Sequence, residues 1–361
     1  MERKQIIHTK ILSQRFKGRG TNLNPVSRFD KIEYVAEPDD NLEEEKRPET
    51  QYFEDTSKSI ISFNESPDLY CSASLNIYKG CEHGCAYCYA RPTHEYLSLS
   101  AGLDFETKIF VKHDAPKLLY KTLASKKWKP QVIMLSGNSD CYQPIEKELK
   151  LTRSCLEVLH EYHNPINIVT KNKLVTRDID ILKEMAENKT ASVFLSVTTL
   201  DNRLASVMEP HTTKPHLKFA ALKELSAVGI PTGVLIAPVI PGLTDPEIPE
   251  ILKQAADAGV KHAGIIMLRL PHGLKDLFIK WLDEYFPERK QKIINRLTEL
   301  FDGKLYDSTF HVRGRGKGAY ADEVRDIFKI SCRKFGINKE HLNLSTAHFR
   351  NADKKQLDLF E

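Results

Sequence analysis

The sequence predicts an α/β protein, an open, partial (β/α)6 TIM-like barrel with an extended N-terminal leader and a small helical C-terminal extension. Three observations predict it. Between about residues 70 and 270, short β-branched and apolar runs alternate with helical patterns, as in repeated βα units. Runs such as GVLIAPV are apolar throughout, which suits a parallel sheet buried on both faces. Six such runs occur, fewer than the eight strands of a closed barrel.

Residues 1–60 read as the leader. The first twenty residues hold six Lys/Arg against one Glu, and residues 36–45 hold six acids and no base. Such blocks fit an extended, partly disordered, solvated tail better than an arm that grips a partner or nucleic acid. Residues 61–271 form the predicted core. Its strands are SASLNIY (72–78), VIMLSG (132–137), INIVTK (166–171), SVFLSVT (192–198), PTGVLIAPV (231–239) and AGIIMLRL (263–270). Between them, Leu151, Cys155, Leu159 and Tyr162 mark one helix face, and Leu217, Ala221, Leu225 and Val228 another. Residues 272–361 read as the extension, because LKDLFIKWLDEYF and QKIINRLTELF have helical periodicity.

At 361 residues, 41% hydrophobic and 28% charged, the chain can bury a substantial core. Its 53 basic and 49 acidic residues leave +4, too little to require a nucleic-acid partner and no bar to one. No stretch approaches the roughly 18 apolar residues that span a bilayer, and the start lacks the apolar centre of a secretion signal. A cytoplasmic protein with no membrane partner is expected.

Cysteines stand at 71, 81, 85, 88, 141, 155 and 332, an odd number unevenly spread, which is no disulfide framework. Three of them fall in NIYKGCEHGCAYCYAR, where Cys81, Cys85 and Cys88 are spaced C-x3-C-x2-C directly after the first predicted strand. A [4Fe–4S] cubane held by three thiolates keeps one iron open to a small molecule, unlike the all-cysteine sites of electron carriers. Gly80 and Gly84 permit the tight loop this needs. Tyr87, one residue before the third cysteine, offers a ring for stacking. The plainer alternative is structural zinc with His83 or His94 as fourth ligand, although no second ligand pair of the usual zinc spacing is present.

C-x3-C-x2-C with an aromatic before its last cysteine, opening a six-fold βα array, resembles the radical S-adenosylmethionine (radical SAM) superfamily over roughly residues 70–270. More narrowly, KGCEHGCAYCYARPTHEY, SDCYQPIE, TKNKLVTRDIDIL, DNRLASVMEP and APVIPGLTD resemble an uncharacterised bacterial family similar to spore photoproduct lyase. The resemblance implies that S-adenosylmethionine binds the open iron and is reductively cleaved to a 5′-deoxyadenosyl radical, which takes hydrogen from a substrate. A small flavodoxin- or ferredoxin-like electron donor is implied as partner, and nucleic acid is the substrate class the analogy favours. Radical modification of a protein or metabolite is the alternative, and a zinc-stabilised binding module is the alternative of another class.

By the same resemblance, Ser136, Gly137 and Asn138 stand where the superfamily often has a Gly-Gly-Glu-like turn for the methionyl amine, with the acid replaced. Thr170, Lys171, Ser196, Thr198 and Arg203 stand where carboxylate and ribose bind, and Met267 and Leu268 where adenine is flanked. Cys141 lies in a region where spore photoproduct lyases carry a hydrogen-donating cysteine, though here it follows Ser139-Asp140 instead of preceding such a pair. It is otherwise a loop thiol. In HVRGRGKGAY, Arg313, Arg315 and Lys317 are separated by glycines, a pattern for phosphate contact or for a solvated loop.

Overall fold

The computed structural model describes residues 5–11, 18–25, 27–29, 32–38, 48–68 and 71–350. Most of the acidic run at 36–45, residues 12–17 of the basic start and residues 351–361 lie outside them. In chain order the strands are β1 (Gln5–Ile11), β2 (Ile32–Pro38), β3 (Gln51–Glu54), β4 (Ile61–Phe63), β5 (Ala73–Leu75), β6 (Tyr78–Lys79), β7 (Lys108–Val111), β8 (Ile133–Leu135), β9 (Ile166–Thr170), β10 (Ala191–Ser196), β11 (Thr232–Val239) and β12 (His262–Met267). Among the described residues, the main sheet has seven strands in the order β12-β11-β10-β9-β8-β5-β4. All its pairings are parallel except that of β4 with β5.

Each strand from β8 onward therefore neighbours its predecessor in the main sheet, so every carboxyl end faces the same way. The connections are α1 (Asp104–Thr107), α2 (Ala115–Leu123), α3 (Glu146–Leu149), α4 (Leu151–Glu161), α5 (Ile179–Glu187), α6 (Asn202–Met208), α7 (Pro215–Ala227) and α8 (Ile248–Asp257). Leu75, Leu135, Ile168, Val193, Leu195, Val234 and Ile236 are fully buried in this sheet, between helix faces that include Cys155, Leu159, Leu182 and Leu222. At roughly 1.5–3 kcal/mol for each large apolar side chain, that burial drives the packing. The six predicted strands are all present, within three residues at most of their ends except where the first one breaks. It breaks because Tyr78–Lys79 leave the barrel sheet and pair antiparallel with β7, which also pairs parallel with β3. On α7, Val228 lies past the helix end and is 38% exposed, and Lys218 takes a buried place on the stripe.

The C-terminal region holds α9 (Leu274–Tyr285), α10 (Pro287–Leu300) and α11 (Ala319–Phe335), the last ended by Gly336 in a left-handed conformation. Trp281, Leu282, Ile293, Leu297 and Phe301 extend the apolar core into it. No described helix is long and apolar enough to cross a membrane.

Part of the leader is built into the core. Residues 18–25 lie along the loop before α1, where Leu103 N–H donates to the Leu23 carbonyl at 2.8 Å and Asn24 exchanges two hydrogen bonds with Asp104. A Cβ on Gly102 would stand 1.7 Å from the Leu23 carbonyl oxygen, a backbone atom that cannot swing away. Gly102→Ala is therefore expected to displace this segment and to speed tryptic cleavage after Arg19, which is 8% exposed, several-fold in time-resolved proteolysis. Equal cleavage rates in variant and wild type would contradict the docking.

Candidate functional site

The cysteine loop leaves the end of β6 through Gly80, at φ +81°, where a Cβ would stand 2.9–3.0 Å from His94, Ile109 and the Phe105 carbonyl. Only glycine takes that conformation without strain. Cys81 N–H donates to the Phe105 carbonyl at 2.9 Å, and Ala86 N–H to that of Met208 at 3.0 Å. The buried Gln143 amide brackets the turn, accepting from Glu82 N–H at 2.9 Å and donating to the Gly80 carbonyl at 3.4 Å. Cys81 and Cys85 are each 7% exposed, and Cys88 is half-buried.

Burial is the largest influence on all three thiols and pushes them up. The Asp140 charge adds to it at Cys81 and that of Glu209 at Cys85, whereas Lys171 opposes it at Cys85 and Arg91 at Cys88. Thiolates form in such a place when a cation binds them. Among the described residues no three Cys, His, Asp or Glu side chains converge as ligands of a single ion do. The thiol triplet would suit a cubane, in which each cysteine would serve a different iron.

Arg91 holds this loop from behind. Its side chain is fully buried, and Nε donates to the Cys85 carbonyl at 2.9 Å and Nη1 to the Gly102 carbonyl at 2.8 Å, while Nη2 pairs with the buried Glu106 carboxylate. The other Glu106 oxygen accepts from Gly20 N–H at 3.0 Å. Burial raises the Glu106 carboxyl, against the opposing charge of Arg91. At Gly84, φ +64°, a Cβ would meet the Glu106 carboxylate at 2.6 Å, and a Cβ on Gly20 would meet the Gly84 carbonyl oxygen at 1.6 Å. Gly20 and Gly84 are thus backbone against backbone.

On the barrel side, Tyr87 donates its hydroxyl to Glu209, a nearly inaccessible carboxylate that also takes hydrogen bonds from the hydroxyls of Thr198 and Thr212. Lys218 Nζ completes the set at 3.0 Å. Burial raises the Glu209 carboxyl, but the charges of Lys218 and Lys171 and the Thr198 and Tyr87 hydroxyls outweigh it, leaving it at about 2. Lys171 Nζ sits 5.8 Å from the Tyr87 ring centroid, and its backbone N–H donates to Asp140 at 2.9 Å. Asp140 also accepts from the Thr170 hydroxyl at 2.7 Å and lies 3.3 Å from His83 Nδ1. Its carboxyl, raised by burial, is lowered further by the His83 charge and these hydrogen bonds, to about 2.

The structure thus brings Cys81, Cys85, Cys88, Tyr87, Thr170, Lys171 and Thr198 into one connected group. Ser136, at φ +74°, Gly137 and Asn138 sit at the carboxyl end of β8, where Tyr89, next to Cys88, donates to the Gly137 carbonyl at 2.6 Å. Asn138 N–H is held by Asn76 at 2.8 Å. Ser196 and Met267 are buried at their strand ends, and Leu268 is buried with its N–H on the Val239 carbonyl. Arg203 is exposed in the first turn of α6, its N–H on the capping Asp201, and makes none of these contacts. Cys141 is 2% exposed in the core. Burial first, then the Asp140 charge, drives its thiol upward against a hydrogen bond with Ser136.

Sequence reasoning missed Glu209, Lys218, Gln143 and the pair Arg91–Glu106. A lysine on the stripe of α7 was a signal for the first two, since a buried lysine calls for a buried acid. For Arg91–Glu106, fifteen residues apart in a region without periodicity, no local signal exists.

A model of the radical SAM superfamily matches residues 75–255. An uncharacterized protein of Mycobacterium tuberculosis is 33% identical over 230 residues, 63% of this chain and 66% of that protein, so the match spans just under two thirds of the relative's length. An uncharacterized protein of Methanocaldococcus jannaschii is 33% identical over 173 residues, 48% of this chain and 62% of that one. Among solved structures, spore photoproduct lyase complexed with dinucleoside spore photoproduct superposes with a TM-score of 0.57 at 17% identity, covering 85% of this chain and 89% of that chain. A variant of it with bound AdoMet and dinucleoside spore photoproduct gives 0.55 at 17% identity, covering 79% and 80%. That likeness is one of fold.

Two outcomes are expected from the buried charges. Arg91→Met leaves Glu106 without its cation and should cost about 3–5 kcal/mol in denaturant unfolding. Glu209 ionises more readily folded than unfolded, so its stabilisation is present above its ordinary value of 4.5 and is lost as pH falls from there toward about 2. Glu209→Gln should therefore lower stability at neutral pH and flatten that acid-side loss, read as Tm against pH.

Proposed function

We propose that this chain, which belongs to the radical SAM superfamily, holds its [4Fe–4S] cluster on Cys81, Cys85 and Cys88 and acts on nucleic acid. Superfamily members use that cluster together with S-adenosylmethionine. When bound and reduced by a small flavodoxin- or ferredoxin-like donor, the cluster supplies the electron that cleaves S-adenosylmethionine to methionine and a 5′-deoxyadenosyl radical. The observation that carries the reading is the thiol triplet on one glycine-hinged loop, Cys81 and Cys85 buried and Cys88 half-buried, at the carboxyl end of the first barrel strand.

The chain's own residues then divide the work. Arg91 and Gln143 hold the backbone of the loop that carries the three sulfurs. Ser136, Gly137 and Asn138 receive the methionyl amine, with the Asn138 side-chain carbonyl in place of the customary acid. Lys171, kept protonated because the Glu209, Cys85 and Asp140 charges outweigh burial, receives the methionyl carboxylate. Ser196 and Thr198 serve the ribose, and Met267 and Leu268 flank the adenine. Ser196, Thr198, Met267 and Leu268 are buried, and that side of the site would keep water and stray hydrogen donors from the radical. Nucleic acid as substrate class is supported by likeness of fold to an enzyme complexed with a dinucleoside photoproduct.

Anaerobic reconstitution with iron and sulfide, followed by dithionite and S-adenosylmethionine, is expected to yield 5′-deoxyadenosine by chromatography, and Cys85→Ala to reduce it to background. An intact, reducible cluster in the wild type that yields none, with or without DNA, RNA or cell extract, defeats the reading.

A further inference from the structure

Above the cysteine loop lies a cation that the network around Glu209 does not use. Arg269 stands two residues past the end of β12, the last barrel strand. Its guanidinium carbon lies 4.8 Å from the centroid of the Tyr89 ring, and Tyr89 directly follows the cluster ligand Cys88. Arg269 Nε is buried and has no hydrogen-bond partner, although burying a donor unpaired is unfavourable. Among the described residues no carboxylate pairs with this side chain. Tyr89 is 46% exposed, so the place opens to solvent. A stacked cation with an orphan donor, beside the reaction site, is built to receive an anion.

The Arg313–Lys317 run adds a second cation to the same edge. The Gly314 carbonyl accepts from Met267 N–H at 2.9 Å, which lays this loop against the end of β12. Arg313 is taken by Asp68, with Nε 2.6 Å from the carboxylate, and Lys317 by Asp302 at 3.0 Å. Arg315 is exposed, and its carbonyl is held by Arg325 at 3.0 Å. Three basic residues therefore resolve to two neutralised ones and Arg315, one residue beyond the glycine paired with Met267.

We infer that Arg269 and Arg315 receive phosphates of a nucleic-acid strand and lead it across the cysteine loop, Arg269 contacting the phosphate nearest the reacting nucleotide. Two uncompensated guanidinium groups on adjoining segments suit a ligand whose anions repeat along a chain. The inference rests on the radical reading of the site below. A carboxylate is the other anion that reaches this region, the one on S-adenosylmethionine, and it would need only Arg269.

The test uses the cluster-loaded protein with S-adenosylmethionine and a fluorescein-labelled single-stranded DNA 12-mer, followed by anisotropy from 50 to 200 mM salt. Arg269→Gln and Arg315→Gln are each expected to weaken binding at least five-fold at low salt and to reduce the slope of log affinity against log salt by about 0.7. Arg315 lies on an exposed loop, so its variant tests the contact without loss of folding, and iron content monitors both variants. No 12-mer binding by the wild type, or unchanged affinity and slope in both variants, overturns the inference. So does a raised KM for S-adenosylmethionine in Arg269→Gln with 12-mer binding untouched, which assigns Arg269 to the methionyl carboxylate. Wild-type deoxyadenosine, measured on the same preparation, tells failure of this inference from failure of the radical reading.

Discussion

The site depends on the buried ion pair between Arg91 and Glu106. Two charges without solvent are costly unless every donor and acceptor is used, and here they nearly all are. The guanidinium reaches the Cys85 and Gly102 carbonyls as well as Glu106, and the carboxylate's second oxygen takes the Gly20 N–H. Removing either partner would strand the other in an apolar setting. The pair thus ties three stretches that are remote in sequence, namely the cysteine loop, the turn before α1 and the segment at residues 18–25.

On the opposite side of the loop the logic is electrostatic. Buried thiols resist ionisation, and the acids nearest them, Asp140 and Glu209, make it harder. Lys171 and Lys218 offset those acids, and Glu209 joins Tyr87 and Thr198 to the same network. The loop is therefore held by a carbonyl-binding arginine on one face and by a compensated charge cluster on the other. Pre-organisation of this kind lets chemistry proceed without rearranging solvent.

The barrel was legible because its signals are local. Apolar runs and helical stripes report burial directly, and six strands could be read from them, while the cysteine triplet stands out by its spacing alone. The strand expected at 72–78 broke because Tyr78 and Lys79 pair with β7, a partner thirty residues on whose existence nothing in 72–78 encodes. The same holds for Arg91–Glu106, for Gln143 and for the docking of residues 18–25 in a leader whose charge blocks suggested a solvated tail. Long-range polar pairing has no period, so composition and spacing do not reveal it.

The contact of Gly20 with Gly84 has a practical consequence. Two backbones that meet without side chains have no rotamers with which to absorb a change, so the fit is all or none. The docked part of this chain accordingly reaches back at least to Arg19, some fifty residues before the first strand of the barrel proper. Anyone trimming, fusing or transplanting the barrel should place the junction upstream of that residue.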